Sequence, residues 1–205
     1  MKPEELELLK RYFPEAAVTT VGEMFTQRRF KLHFKRPRSS KLGDFRQPRT
    51  KNGICSITLN MDLNPYQMLI TYVHEVAHYD VYQQHGSRVV KPHGTEWQKQ
   101  FATLLQPLMT ENIFPQDVTA ALQKHLQHIK ASSTADLNLK RVLQKYDQHA
   151  ETVLTVESLP AGARFTLKNG LVFQKGEKQR TRYKCYCESN GRWYFVSALA
   201  EVQSL

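Results

Sequence analysis

The sequence predicts an α+β protein in two parts, a mixed helical and stranded domain followed by a small all-β module. Three observations predict it. A long, mostly apolar helical pattern runs through LNPYQMLITYVHEVAHYDVYQQHG, Leu63 to Gly86. Two strand-like runs precede it and further helical patterns follow. From Glu151 the texture changes to short β-prone runs punctuated by Asn169-Gly170, Lys175-Gly176 and Asn190-Gly191, and paired Asn-Gly turns mark hairpins. The expected division is 1–130 for the first domain, 131–150 for a helical linker and 151–205 for the β module.

Each element has its own signal. Pro3 to Phe13 places Leu6, Leu9 and Phe13 on one side of a short helix that Pro14 ends. A second helix covers Val18 to Gln27. In RFKLHFKRP, Phe30, Leu32 and Phe34 alternate with Arg29, Lys31, His33 and Lys35. That period of two predicts a half-buried strand with a basic outer face. RSSKLGDFRQPRTKNG is polar and rich in turn formers, and ICSITLN, Ile54 to Asn60, is a second strand. The long helix then opens with Asn64 as N-cap and Pro65 in the first helical position, where a missing N–H costs nothing. Gly86 closes it. KPHG is a turn, and TEWQKQFATLLQPLM is a helix capped near Thr95, with Trp97, Phe101, Leu104 and Leu105 inward. Asn112 to Lys130 and LNLKRVLQKY complete the helices.

Bulk properties exclude some functions. The 205 residues suffice for one moderate domain plus a small module, and no run is long and apolar enough to span a membrane. The N-terminus MKPEELELLK does not read as a secretory signal. Three cysteines, Cys55, Cys185 and Cys187, cannot build a disulfide framework, so a cytoplasmic setting is expected, with nucleoid association as an extension of it. The net charge of +10 is unevenly spread: Arg28 to Lys51 holds ten basic residues against Asp44 alone. Clustered positive charge suits polyanions, DNA above all.

The long helix carries the chemistry. In HEVAH, His74 and His78 are four residues apart, which stacks both imidazoles on one helix face and aims them at a common point. Two such imidazoles are half of a zinc site. Glu75 lies about 100° round the helix, near the ion without being a natural ligand, and is placed to take a proton from water there. A catalytic zinc needs a third protein ligand and one open position. Val81 and Gln84 occupy the positions where a metzincin pattern would require Gly and His. His85 lies about 10 Å further along the same helix, too far to share the ion. Two candidates remain: His93 in the KPHG turn, and Glu96 inside the next helix. His93 is preferred, because a histidine held between Pro92 and Gly94 can be directed back at the helix.

These motifs together, HEVAHYDVYQQHG and VKPHGTEWQ, resemble the SprT-like family of zinc-dependent metalloproteases. SKLGDFR, ICSITLN and LNPYQMLITYVHEVAH are also similar to the family's first strands and active helix, so the likeness covers roughly residues 28–110. The resemblance implies a zincin-like fold, zinc bound by His74, His78 and His93, and Glu75 as catalytic base. Members related to the eukaryotic Spartan protease cut proteins crosslinked to DNA, so the implied substrates are proteins bound to DNA. Some members carry a four-cysteine zinc ribbon after the protease domain. Here the tail offers only Cys185-Tyr186-Cys187, and one such pair is no structural zinc site.

Further roles follow from position. The strand Ile54–Asn60, just upstream of the active helix, is expected to be the shelf on which an extended substrate pairs. Tyr72, Tyr79, Tyr82 and Trp97 are candidates to line the cleft, although core packing suits each of them. Arg28, Arg29, Lys31, Lys35, Arg36, Arg38, Lys41, Arg46 and Arg49 are candidates for sequence-insensitive phosphate contacts. Arg180, Arg182, Tyr183, Lys184 and Trp193 form a second cluster of cations and aromatics suited to single strands. A non-catalytic, zinc-stapled nucleic-acid adaptor is the rival expectation.

Overall fold

The computed structural model describes residues 2–38, 40–50, 52–86, 90–129, 136–148 and 153–205. The chain divides into two compact units, Met1–Asp147 and Gln148–Leu205.

In the first unit, α1 (Pro3–Tyr12) and α2 (Val18–Thr26) lead into β1 (Phe30–Lys35). A three-stranded sheet is completed by β2 (Gly43–Arg46) and β3 (Cys55–Asn60), in the order β1-β3-β2. β1 runs parallel to β3, and β2 antiparallel to it. The expected alternation in β1 is present: Phe30 is buried and Leu32 and Phe34 are half-buried, while Lys31, His33 and Lys35 are exposed. β3 is the central strand, paired on both edges, and is buried along nearly its whole length, with Cys55, Ile57 and Leu59 in the core. It therefore cannot serve as the substrate shelf, since its backbone groups are already paired. The edge next to the long helix belongs to β2, a strand that lies inside the polar stretch read as loop. GDFR has little strand propensity of its own; pairing with β3 makes it a strand.

The long helix α3 (Pro65–His85) is the axis of this unit. Asn64 caps it by accepting from the Gln67 N–H at 2.9 Å. Gly86 stops it at φ +63°, a left-handed conformation that costs other residues a steric penalty. Met68, Leu69, Tyr72, Val73, Val76 and Ala77 are fully buried against the sheet and the helices that follow. Those helices are α4 (Thr95–Thr110), α5 (Gln116–Gln127) and α6 (Leu137–Gln144). α5 begins later than the sequence suggests, directly after Pro115.

α6 falls in the segment expected as a linker, yet it belongs to the first unit. Leu139 and Leu143 are fully buried in its core, and the Asn64 Nδ2 donates to the Leu143 carbonyl at 3.0 Å and to Asp147 Oδ1 at 2.6 Å. An amphipathic helix with an apolar stripe gains more by packing than by spanning solvent. Residues 130–135 and 149–152 of the expected linker and module start lie outside the described residues.

The second unit is a six-stranded antiparallel sheet of β4 (Leu154–Thr155), β5 (Arg164–Thr166), β6 (Val172–Gln174), β7 (Arg182–Cys187), β8 (Arg192–Ser197) and β9 (Glu201–Ser204). Its strand order is β4-β9-β5-β6-β7-β8. Val156, Phe165, Phe173, Cys185 and Cys187 form its core. Both cysteines are free thiols that pack as small apolar side chains.

Candidate metal centre

α3 delivers His74 and His78 from one face, one turn apart. The third imidazole comes from the turn between α3 and α4. There the Gly94 N–H closes onto the Lys91 carbonyl at 2.9 Å, with Pro92 first and His93 second of the two central residues. Pro followed by a residue with positive φ is the type II pattern, whose second position favours Gly or Asn. His93 adopts φ +59° there. A side chain held in a conformation that costs about 1 kcal/mol is one whose direction matters. The Gln98 side chain donates to the His93 carbonyl at 3.1 Å and ties the turn to α4.

The result is a triangle of ring nitrogens. His74 Nε2 lies 3.2 Å from His78 Nε2 and 3.1 Å from His93 Nε2, and the last two are 3.1 Å apart. Each Nε2 either carries a proton or presents a lone pair, never both. Three mutual contacts therefore cannot all be donor to acceptor; at least one pair must oppose like to like. A cation accepting three lone pairs removes the conflict. Ligand nitrogens about 2.0–2.1 Å from a tetrahedral ion stand roughly 3.3–3.4 Å apart, close to the spacing found. These three histidines are the group among the described residues that could hold a metal ion. Glu96 is exposed and His85 half-buried, and both lie outside the cluster.

Electrostatics keep the imidazoles in the ligand form. Burial, reinforced by the neighbouring His78 and His93, pulls His74 well below the ordinary histidine range. Burial first and then His93 lower His78 to about 4, and burial lowers His93. Neutral rings with available lone pairs are what a metal requires. Trp97, almost fully buried, forms the floor: its ring centroid lies 4.6 Å from that of His74 and 4.8 Å from that of His93. Its Nε1–H donates to the His74 carbonyl at 3.3 Å. This contact orients a ligand-bearing turn, and nothing in sequence spacing points to it.

Glu75 is only 6% exposed. Burial raises its pKa to about 8, against the pull of the Phe45 backbone N–H and with a smaller push from Asp44. β2 approaches it closely: a Cβ on Gly43 would stand 2.6 Å from Glu75 Oε1 and 2.8 Å from the Thr71 methyl. Gly43, Asp44 and Phe45 line the same cavity as His74, Glu75, His78 and His93, a space of about 800 Å³. Tyr82 and Trp97 also line it. Tyr72 and Tyr79 instead belong to the core, where the Tyr79 hydroxyl accepts from the Arg29 N–H at 3.0 Å.

The basic stretch divides into two sets. Arg28 grips Asp80 with two hydrogen bonds of 2.7 and 2.8 Å, and its side chain is 16% exposed. Arg38 donates to Asn60 at 2.8 Å and to Thr58 at 3.0 Å, fixing the loop before β2. Lys41 and Arg46 both pair with Asp44, at 2.7 and 2.6 Å. These four cations have structural partners. Arg29, Lys31, Lys35, Arg36 and Arg49 are exposed. Charge counting cannot separate the sets, because it does not see Asp80 and Asn60 arriving from distant segments. Tyr183 is also withdrawn from the second cluster, being buried beneath Lys175, whose Nζ lies 4.3 Å from its ring centroid.

No family model matches the chain, and no curated protein or solved structure matches it.

Proposed function

We propose that the protein is a zinc-dependent metallopeptidase of the SprT-like kind, with a zincin-like first unit that hydrolyses peptide bonds in proteins bound or crosslinked to DNA. The observation that carries the reading is the convergence of His74, His78 and His93 with Glu75 beside them in one cavity. Three neutral imidazoles suit zinc, and three protein ligands leave a coordination position open, which distinguishes a catalytic site from a four-ligand structural one. When bound, the ion supplies Lewis acidity toward a scissile carbonyl and lowers the pKa of water toward about 7.

The chain's own residues do the rest. Glu75 accepts a proton from the attacking water and passes it to the departing amine. A carboxyl group whose burial moves its pKa toward neutrality is matched to both steps. β2 offers the edge on which an extended polypeptide can add as a strand, so backbone groups dominate recognition and side-chain selectivity is loose. The exposed cations of β1 and its flanks support a substrate held on a polyanion.

Glu75→Gln is the test, run with casein and with self-cleavage as readouts. The variant should bind zinc as the wild type does and lose about two to four orders of magnitude in rate. Retained hydrolysis at full metal content would leave Glu75 without the assigned role, whereas a zinc-loaded wild type that cleaves neither casein nor itself would favour the adaptor reading.

A further inference from the structure

The second unit ends in an exposed aromatic face. β7 and β8 pair in register, setting Tyr186 opposite Trp193, Lys184 opposite Phe195 and Arg182 opposite Ser197. One side of this ribbon is core, with Cys185, Cys187 and Val196 buried. The other side carries Arg182, Lys184 and Tyr186 beside Trp193 and Phe195. Trp193 is 58% exposed and Phe195 60%, the largest exposures of any aromatic side chains among the described residues. Surface aromatics grouped in this way mark an interaction site.

The charge around them selects the partner. Lys184 holds its ammonium 4.9 Å from the centre of the Trp193 ring. Arg180, Arg182 and Arg192 are exposed and make no ion pair with a described residue. The nearby acid Glu188 is already gripped by Arg164 at 2.6 Å. Side chains two apart on a strand stand about 6.5–7 Å from each other, which suits successive bases splayed from a single strand. We propose that the β7–β8 face binds single-stranded DNA, with Trp193 and Phe195 as stacking platforms and Arg182 and Lys184 meeting the phosphates.

A second copy is a poorer occupant. Stacking the same face of a second copy on this one would set Arg182 and Lys184 against like charges. A duplex is poorer as well, since its bases are stacked on one another and offer no free π-face. The proposal deepens the DNA part of the proposed function and rests on none of its hydrolytic chemistry.

The experiment uses the full chain in the metal-free Glu75→Gln background, so that failure of catalysis cannot be confused with failure of binding. A fluorescein-labelled oligo-dT strand of about fifteen nucleotides is titrated by anisotropy, a length that covers one such site. The expected result is binding that weakens steeply with salt. Trp193→Ala together with Phe195→Ala should weaken it about tenfold or more, while a Lys31→Ala, Lys35→Ala variant changes it less. Both aromatics are exposed, so the circular dichroism and melting of the double variant should match the parent. Unchanged affinity in the aromatic variant overturns the proposal, as does equal affinity for a duplex of the same length. Tighter binding to an oligo-U strand overturns the assignment to DNA. A dimer that the same two substitutions dissolve, with no strand bound, assigns the face to self-association instead.

Discussion

Gly43 and Glu75 are in such close contact that the glycine's missing side chain is part of the site. A methyl group at position 43 would overlap the Glu75 carboxylate at 2.6 Å and its Cγ at 2.9 Å. The space that Glu75 occupies is therefore set by a strand edge more than thirty residues away in sequence.

Gly43→Ala should displace the carboxylate or push β2 outward. A displacement near 1 Å costs about a hundredfold in rate, and crowding a packed site costs about 1–3 kcal/mol of stability. Metal content, measured by atomic absorption, should stay at the wild-type level. Full activity in a correctly folded Gly43→Ala protein would show that this contact does not position the base.

His93→Asn separates backbone strain from metal binding. Asn tolerates the left-handed conformation that His93 adopts at φ +59°, so the metal-free variant should melt at or slightly above the metal-free wild type. The rise in melting temperature that added zinc gives the wild type should vanish, because stabilisation by a ligand follows its affinity for the native state. An undiminished zinc-dependent rise would remove His93 from the ligand set.

The metal-free protein should lose stability in mild acid. His78 titrates at about 4 in the folded chain against 6.5 for an ordinary histidine, with burial and His93 as the causes. A lowered folded-state value means that the unfolded chain binds the extra proton first. The contribution is intact above about pH 6.5 and disappears as pH falls toward about 4, amounting to about 3 kcal/mol at most. Urea titrations in a chelator at pH 7, 6, 5 and 4 measure it. A flat profile over that range contradicts the burial of a neutral imidazole triad.

Arg28→Met tests the division of the basic stretch. The Arg28–Asp80 pair is largely buried, and Gln100 donates to the same carboxylate at 2.7 Å. Removing one partner leaves Asp80 short of its main counter-charge, at a cost of about 3 kcal/mol. Binding of DNA should be unaltered at temperatures where the variant is folded. A Lys31→Ala, Lys35→Ala variant should behave in the opposite way, with normal stability and a smaller salt slope. A stable Arg28→Met protein with weakened DNA binding would return Arg28 to the interface.

Local rules alone determined much of this protein. The Asn64-Pro65 start and the Gly86 stop of the long helix follow from capping and backbone sterics within a few residues. So does the common face of His74 and His78, which is helix geometry. The change to a β module is written in its turn residues. Only tertiary structure decided the remainder, because the forces involved act between segments far apart in sequence. Gly43–Arg46 becomes a strand by pairing with β3, and that pairing leaves β3 without a free edge. α6 joins the first unit through Leu139, Leu143 and the reach of Asn64. Arg28 and Arg38 leave the surface for partners that charge counting does not reveal. The third imidazole closes the triangle because a turn holds His93 at positive φ above the ring of Trp97.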